Sequence, residues 1–289
     1  MSFTTLISAN ELANHDPKNL RLIDCRGRLG NPTWGQLAFA EGHIAGAVHA
    51  DMDLHLAAAP NQHGRHPLPS QQTWLAQVRA WGIENQDQVV VYDDAGGSFA
   101  GRAWWMLRWL GHTNVAVLDG GLSHWTQTLT ASATKPYPPS QYQATAPLTK
   151  LSSVDSVNFL SNELHKATHS SNEYLIDARA HVRFSGEQEP IDPVAGHIPG
   201  AICLPFSDNL NDQGLFKSPD ELAQRFMALG LDPANTDLAI TMYCGSGVTA
   251  IHNILAMLIA GFGEASLYAD SWSGWITDAN RPVATGSDG

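Results

Sequence analysis

Cysteine is scarce in this chain: Cys25, Cys203 and Cys244 are three among 289 residues. An odd number with no Cys-x-x-Cys spacing argues against a disulfide framework and against a structural zinc site. At least one thiol is expected to be free. Positive charge is also short, with 16 Lys and Arg against 28 Asp and Glu for a net charge of −12. That balance disfavours a polyanionic partner, nucleic acid or anionic membrane surface, but leaves room for a small anion held by local donors. No apolar run approaches the ~18–20 residues that span a bilayer. The first sixteen residues lack a basic stretch followed by an apolar one, and Glu11 and Asp16 are acids that a transit peptide avoids. These absences predict a cytoplasmic protein with no membrane and no nucleic-acid partner. The histidines lack ligand spacing and no phosphate-binding Gly-Lys motif occurs, so neither a metal nor an organic cofactor is expected.

What the chain does have is a repeat. Leu22-Ile23-Asp24-Cys25-Arg26 returns as Leu175-Ile176-Asp177-Ala178-Arg179, and Gly42-His43-Ile44-Ala45-Gly46-Ala47 returns as Gly196-His197-Ile198-Pro199-Gly200-Ala201. Further on, Val90-Val91-Tyr92-Asp93 aligns with Thr241-Met242-Tyr243-Cys244, and Trp125 with Trp275. Matches in one order, with offsets that drift by only a few residues, predict two copies of one domain. The prolines of Lys135-Pro136-Tyr137-Pro138-Pro139 break helix and strand alike, so the expected division is a domain over 1–132, a linker over 133–147 and a domain over 148–289.

Within each copy, short β-rich runs (21–23, 89–92, 115–118; 174–176, 238–243, 265–268) alternate with helix-like stretches (70–81, 100–110, 219–229, 248–260). This alternation predicts an α/β fold in which each copy is a mainly parallel sheet flanked by helices. Trp104, Trp105 and Trp109 at helical spacing read as core. Asp24, Arg26, Asp177 and Arg179, being duplicated, read as braces of the fold. Cys25 and Cys203 sit in strand contexts without glycine loops and read as structural.

Ligands of parallel sheets bind where strands end and helices begin, which directs attention to the turn after 238–243. It reads Cys244-Gly245-Ser246-Gly247-Val248-Thr249-Ala250. Two glycines let successive N–H groups point inward, and a helix N-terminus adds partial positive charge. A sulfur placed there is expected to be favoured as thiolate, and so to be nucleophilic near neutral pH. A cysteine without such a setting is more often a small buried hydrophobe.

The duplicated halves, the Gly-His-Ile-x-Gly-Ala segments and the Cys244 loop resemble the tandem-domain rhodanese superfamily, over nearly the whole chain. The loop is most similar to that of its 3-mercaptopyruvate sulfurtransferases. The resemblance implies a non-catalytic first domain, with Asp93 where the nucleophile would stand, and a catalytic second one. It implies sulfur transfer through a Cys244 persulfide, from a small anionic donor to cyanide or a thiol acceptor, thioredoxin-like proteins included. It places Gly245, Gly247, Val248 and Thr249 in the substrate cradle and Arg183 on the donor carboxylate. Asp53 and His66 fall where the family puts an Asp and a His that act with the loop serine, here Ser246, in proton transfer. Thiosulfate-preferring members carry basic residues after the cysteine, and Gly245 and Ser246 are uncharged, so mercaptopyruvate is the favoured donor and thiosulfate the alternative. The family's second arginine is absent, since the chain reads Glu189-Pro190-Ile191, and Ala269-Asp270 also departs from the usual pattern.

Two rival functions remain. A cysteine phosphatase would use such a loop but wants an arginine six residues after the cysteine, where Ala250 stands. A rhodanese-like sensor or docking module without turnover typically lacks the cysteine, which fits the first half alone.

Overall fold

The structure, a computed structural model, describes residues 2–164 and 172–287. Contacts divide them into two compact units. The first takes the chain up to Ala58, then Leu68–Leu148 and Asp212–Phe216; the second takes Ala59–Pro67, Thr149–Asn211 and the chain from Lys217 onward. The grouping differs from a division into contiguous halves. Residues 59–67 belong to the second unit because their backbone is hydrogen-bonded there, Arg65 N–H to Ser273 Oγ among the bonds. Residues 212–216 belong to the first, where the Phe216 N–H donates to Asp119.

The first unit runs β1 (Leu6–Ile7), α1 (Ala9–Ala13), β2 (Leu20–Asp24), α2 (Trp34–Glu41), β3 (Ala47–His49), α3 (Gln71–Ala80), β4 (Gln88–Tyr92), α4 (Ala100–Trp109) and β5 (Val115–Leu118). Its sheet has the order β1-β5-β4-β2-β3 with every pairing parallel. β4 is buried along its whole length, as expected of a parallel strand covered on both faces. Trp104 and Trp105 of α4 are fully buried and Trp109 half-buried. Ser70 caps α3 by accepting the Thr73 N–H, and Trp74 and Val78, four residues apart, bury one face.

The second unit repeats the plan with β6 (Lys150–Leu151), α5 (Val154–Leu164), β7 (Glu173–Asp177), α6 (His181–Phe184), β8 (Ile202–Cys203), α7 (Pro219–Met227), β9 (Ala239–Tyr243), α8 (Ala250–Ile259), β10 (Ser266–Leu267) and α9 (Ser271–Trp275). The order β6-β10-β9-β7-β8 is the same topology, again all parallel. α7 opens with a capping box between Ser218 and Glu221 and buries Leu222 and Phe226. The expected α/β architecture is thus observed in both copies.

The repeated motifs turn out to be ties between sheet and loops. Arg26 forks onto Asp24 at 2.7–3.0 Å and reaches the Gly42 carbonyl; Arg179 forks onto Asp177 at 2.7–3.1 Å and reaches the Gly196 carbonyl. His43 lies flat on Phe39 and His197 on Phe184, each with Nδ1 at 2.8 Å from that residue's carbonyl. The Tyr92 and Tyr243 hydroxyls accept the N–H of Ile44 and of Ile198.

Residues 133–147 form neither helix nor strand, as their prolines dictate. They are fastened along the first unit rather than free: Tyr142 is fully buried, the Ser140 N–H donates to the Arg79 carbonyl at 2.9 Å, and Thr134 donates to the Ala47 carbonyl at 2.6 Å. No helix among the described residues is long and apolar enough to cross a membrane.

Candidate active site

β9 delivers Cys244 at its carboxyl end, and the chain then curls through 245–249 into α8. Cys244 is buried, as are Ser246 and Val248, and Thr249 is half-buried. The curl needs glycine at 247, where φ is +74° and a methyl group would overlap the Ala269 carbonyl oxygen. Gly245 has no such backbone demand, but a Cβ there would stand 3.0 Å from Arg65 Nη2 and 3.4 Å from Arg183 Nη1. Two guanidiniums therefore occupy the space beside the residue that follows the cysteine. The loop's own side chains are uncharged, and of the two guanidiniums beside it Arg183 is the one the sequence singled out and Arg65 is the addition.

The loop is held from behind by the start of α9. Ser271 Oγ accepts the Cys244 N–H at 3.1 Å and donates to the Tyr268 carbonyl at 3.0 Å. The N–H groups of Trp272 and Ser273 donate to the carbonyls of Cys244 and Gly245 at 3.0 and 2.9 Å. Ser271 does this with φ at +53°, the single positive-φ residue other than glycine among those described. A strained backbone held at a nucleophile's amide is a common companion of functional sites.

Segment 59–67 supplies the remaining groups. Asn61 and Gly64 exchange backbone hydrogen bonds at 3.2 and 3.0 Å, closing a tight turn. Gly64 has φ +98° and lies so close to α9 that a methyl group would overlap Ser273 Oγ. This close approach brings His66 to the loop: its Nδ1 lies 2.7 Å from Ser246 Oγ, with both residues buried.

Arg65 pairs with Asp192 Oδ1, and Asp192 Oδ2 holds Arg183 Nη2 at 3.0 Å. Arg183 also forks onto Glu189 at 2.7–3.1 Å. Burial and the like charge of Arg183 lower the Arg65 pKa, with Cys244 and Glu189 opposing. Of the residues singled out from the sequence, Cys244, Gly245, Ser246, Gly247, Val248, Thr249, His66 and Arg183 are all in this unit. Asp53 belongs to the first unit, exposed on the turn Met52–Leu56, where burial and then Asp51 raise its carboxyl pKa.

The first unit has the matching loop with a carboxylate at its centre. Asp93 is fully buried and accepts four backbone N–H bonds, from Ala95, Gly97, Phe99 and Ala100, at 2.8–2.9 Å. The repeat aligns those amides with Ser246, Val248, Ala250 and Ile251 of the second unit.

Rhodanese-like domain models match residues 8–128 and 160–278. The chain belongs to the rhodanese family. A Pseudomonas aeruginosa protein named "Probable 3-mercaptopyruvate sulfurtransferase" is 44% identical over 292 residues, covering 99% of this chain and 100% of that one. A Mycobacterium tuberculosis protein, provisionally named a thiosulfate sulfurtransferase, is 36% identical and covers 98% of this chain and 97% of its own. The crystal structure of a 3-mercaptopyruvate sulfotransferase from Escherichia coli superimposes with a TM-score of 0.75 at 31% identity, covering 94% of this chain and 100% of that one.

Three groups of this rhodanese-family site are not marked by sequence reasoning. Ser271 carries no motif beyond its place before Trp272. Asp192 stands 127 residues from its partner. Arg65 sits next to His66 and could have been noticed as the one cation in Gly64-Arg65-His66-Pro67, but a basic residue in a polar loop is ordinarily solvated.

Proposed function

We propose that this rhodanese-family enzyme is a sulfurtransferase that takes sulfur from 3-mercaptopyruvate, holds it as a persulfide on Cys244 and passes it to cyanide or a thiol. The observation that supports it most is the Ser246–His66 pair at 2.7 Å on the loop of the cysteine, because this donor needs a proton moved and the pair can move one.

The Cys244 thiolate attacks the donor sulfur. The new S–S bond forms as the C–S bond breaks, and the bonding pair passes to carbon, giving the enolate of pyruvate. A proton must leave the donor thiol and one must reach the enolate carbon. Ser246 and His66, one donating and the other accepting, are placed to relay it. Arg183, whose Nε and Nη2 are held by Glu189 and Asp192, turns its Nη1 to the donor carboxylate. Backbone amides of 246, 248, 250 and 251, equivalent to those around Asp93, steady the sulfur anion. In the second half-reaction cyanide or an acceptor thiolate attacks the outer sulfur, and Cys244 leaves as thiolate. The acceptor is a small thiol or a thioredoxin-like protein of the cytoplasm. Asp53 is the acid that the family resemblance adds to this proton relay.

Thiosulfate is the second reading, favoured by the two guanidiniums beside Gly245 and by the mycobacterial relative. A compact dianion gains from both charges, and sulfite departs without a proton.

Mass spectrometry of the intact chain after incubation with each donor tests the proposal. Gain of one sulfur atom from 3-mercaptopyruvate, lost in Cys244→Ser and discharged by cyanide, is expected. No gain from either donor refutes it.

A further inference from the structure

Arg65 and Arg183 converge on one point from opposite parts of the sequence. The atoms nearest the would-be Cβ of Gly245 are Arg65 Nη2 at 3.0 Å and Arg183 Nη1 at 3.4 Å. Neither of these nitrogens is hydrogen-bonded among the described residues: Arg65 uses Nη1 on Asp192, and Arg183 uses Nε and Nη2 on Glu189 and Asp192. The acids lie behind the cations. The Glu189 and Asp192 side chains are 3% and 2% exposed, against 16% for Arg183 and 29% for Arg65. Two guanidiniums this close repel each other unless a carboxylate lies between them. Asp192 bridges them with one oxygen each, at their rear. Their front N–H groups point at the same small space beside the nucleophile's neighbour.

That geometry suits a ligand with two negative oxygens, one for Arg65 Nη2 and one for Arg183 Nη1. The residue that stands in place of the family's second arginine cannot contribute, since Ile191 is apolar and its side chain is half exposed.

We propose that Arg65 is the second cation for the donor's carboxylate, acting with Arg183, and that Asp192 sets the spacing of the pair. The inference rests on the 3-mercaptopyruvate reading and names the residue that completes its anion site. Arg65 and His66 are then consecutive residues with separate tasks, one holding the donor's acid end and the other serving the proton relay. Gly64 positions both.

The test compares the unmodified chain with Arg65→Gln and Arg65→Lys in steady-state assays, using 3-mercaptopyruvate or thiosulfate with cyanide. Sodium pyruvate, which keeps the carboxylate and lacks the sulfur, serves as a competitive inhibitor. Arg65→Gln is expected to raise KM for 3-mercaptopyruvate and the pyruvate inhibition constant together, each about tenfold or more, with kcat within about threefold. Arg65→Lys, a point charge without the fork, should fall between the two. A thermal unfolding midpoint near that of the unmodified chain establishes that each variant is folded. Should Arg65→Gln not fold, the lysine variant and its pyruvate constant decide.

Constants within twofold of the unmodified chain overturn the proposal. So does a rise in KM confined to thiosulfate, which would make the pair a sulfonate site. An unmodified chain that takes no sulfur at Cys244 from 3-mercaptopyruvate refutes the donor reading itself. Uptake at Cys244 with unchanged Arg65 variants refutes only the part of Arg65 in holding the carboxylate.

Discussion

Ser271 Oγ accepts the backbone N–H of Cys244 at 3.1 Å, from a backbone conformation, φ +53°, that serine seldom adopts. The two residues are buried, so the amide has no water to turn to if the hydroxyl is lost. An unsatisfied buried N–H costs about 1–3 kcal/mol, and a shifted nucleophile loses alignment as well.

Replacing Ser271 therefore separates strain from positioning. Ser271→Ala keeps the strained φ and loses the hydroxyl, so it should lower the unfolding midpoint and reduce kcat/KM about tenfold. Ser271→Gly loses the hydroxyl but relieves the φ, so it should be the more stable of the two and no more active. Thermal unfolding and donor kinetics on both variants check this. Full activity in the alanine variant counts against a positioning role.

The Ser246–His66 pair should matter for one donor and little for the other. Loss of pyruvate requires a proton to reach carbon, whereas sulfite leaves thiosulfate as a stable dianion. In rapid-quench measurements of persulfide formation, Ser246→Ala and His66→Gln are expected to slow uptake from 3-mercaptopyruvate about a hundredfold, and from thiosulfate only about threefold or less. Equal slowing with the two donors would remove the relay from the mechanism.

Asp93 fills its loop with four N–H bonds, so its replacement is felt in stability. Asp93→Asn keeps one acceptor oxygen but turns an NH2 group toward amide donors. A loss of about 2–4 kcal/mol is expected in chemical denaturation. An unchanged denaturation midpoint contradicts the account of this loop as an anion seat.

Burial lowers the pKa of His55, His112 and His197. For His197 the geometry agrees: Nδ1 donates to the Phe184 carbonyl, and buried Nε2 has no partner among the described residues to receive a second proton's hydrogen bond. Protonating these rings is therefore harder in the folded chain than in the unfolded one, which takes up protons below about pH 6.5. Their contribution is present above that pH and lost as pH falls through it toward the lowered folded values. The unfolding midpoint should drop between pH 7.5 and 5.5, and drop less in His197→Gln. A midpoint independent of pH over that range refutes this linkage.

Much of the fold was legible in the sequence because it is written twice. Asp24 and Arg26 recur as Asp177 and Arg179, His43 as His197, and each copy does the same structural work. The Cys244 loop was legible because two glycines between a buried strand and an apolar helix have few other uses. β1, β6 and β8 are two residues each, too short to show a period. Arg65 was not legible because its meaning lies in Asp192 and Gly245, far away along the chain. Ser271 was hidden because nothing in a serine announces a left-handed backbone.

The carboxylate of Asp93 makes the first loop a seat whose occupant is bolted to it. Any reagent that competes for such a seat, whether sulfite, a halide or a negatively charged alkylating agent, finds one open to it per chain and not two. Titration of the chain with an anionic thiol reagent should accordingly reach its first plateau at one equivalent, on Cys244, with the repeat present in each unit's fold and absent from the chemistry.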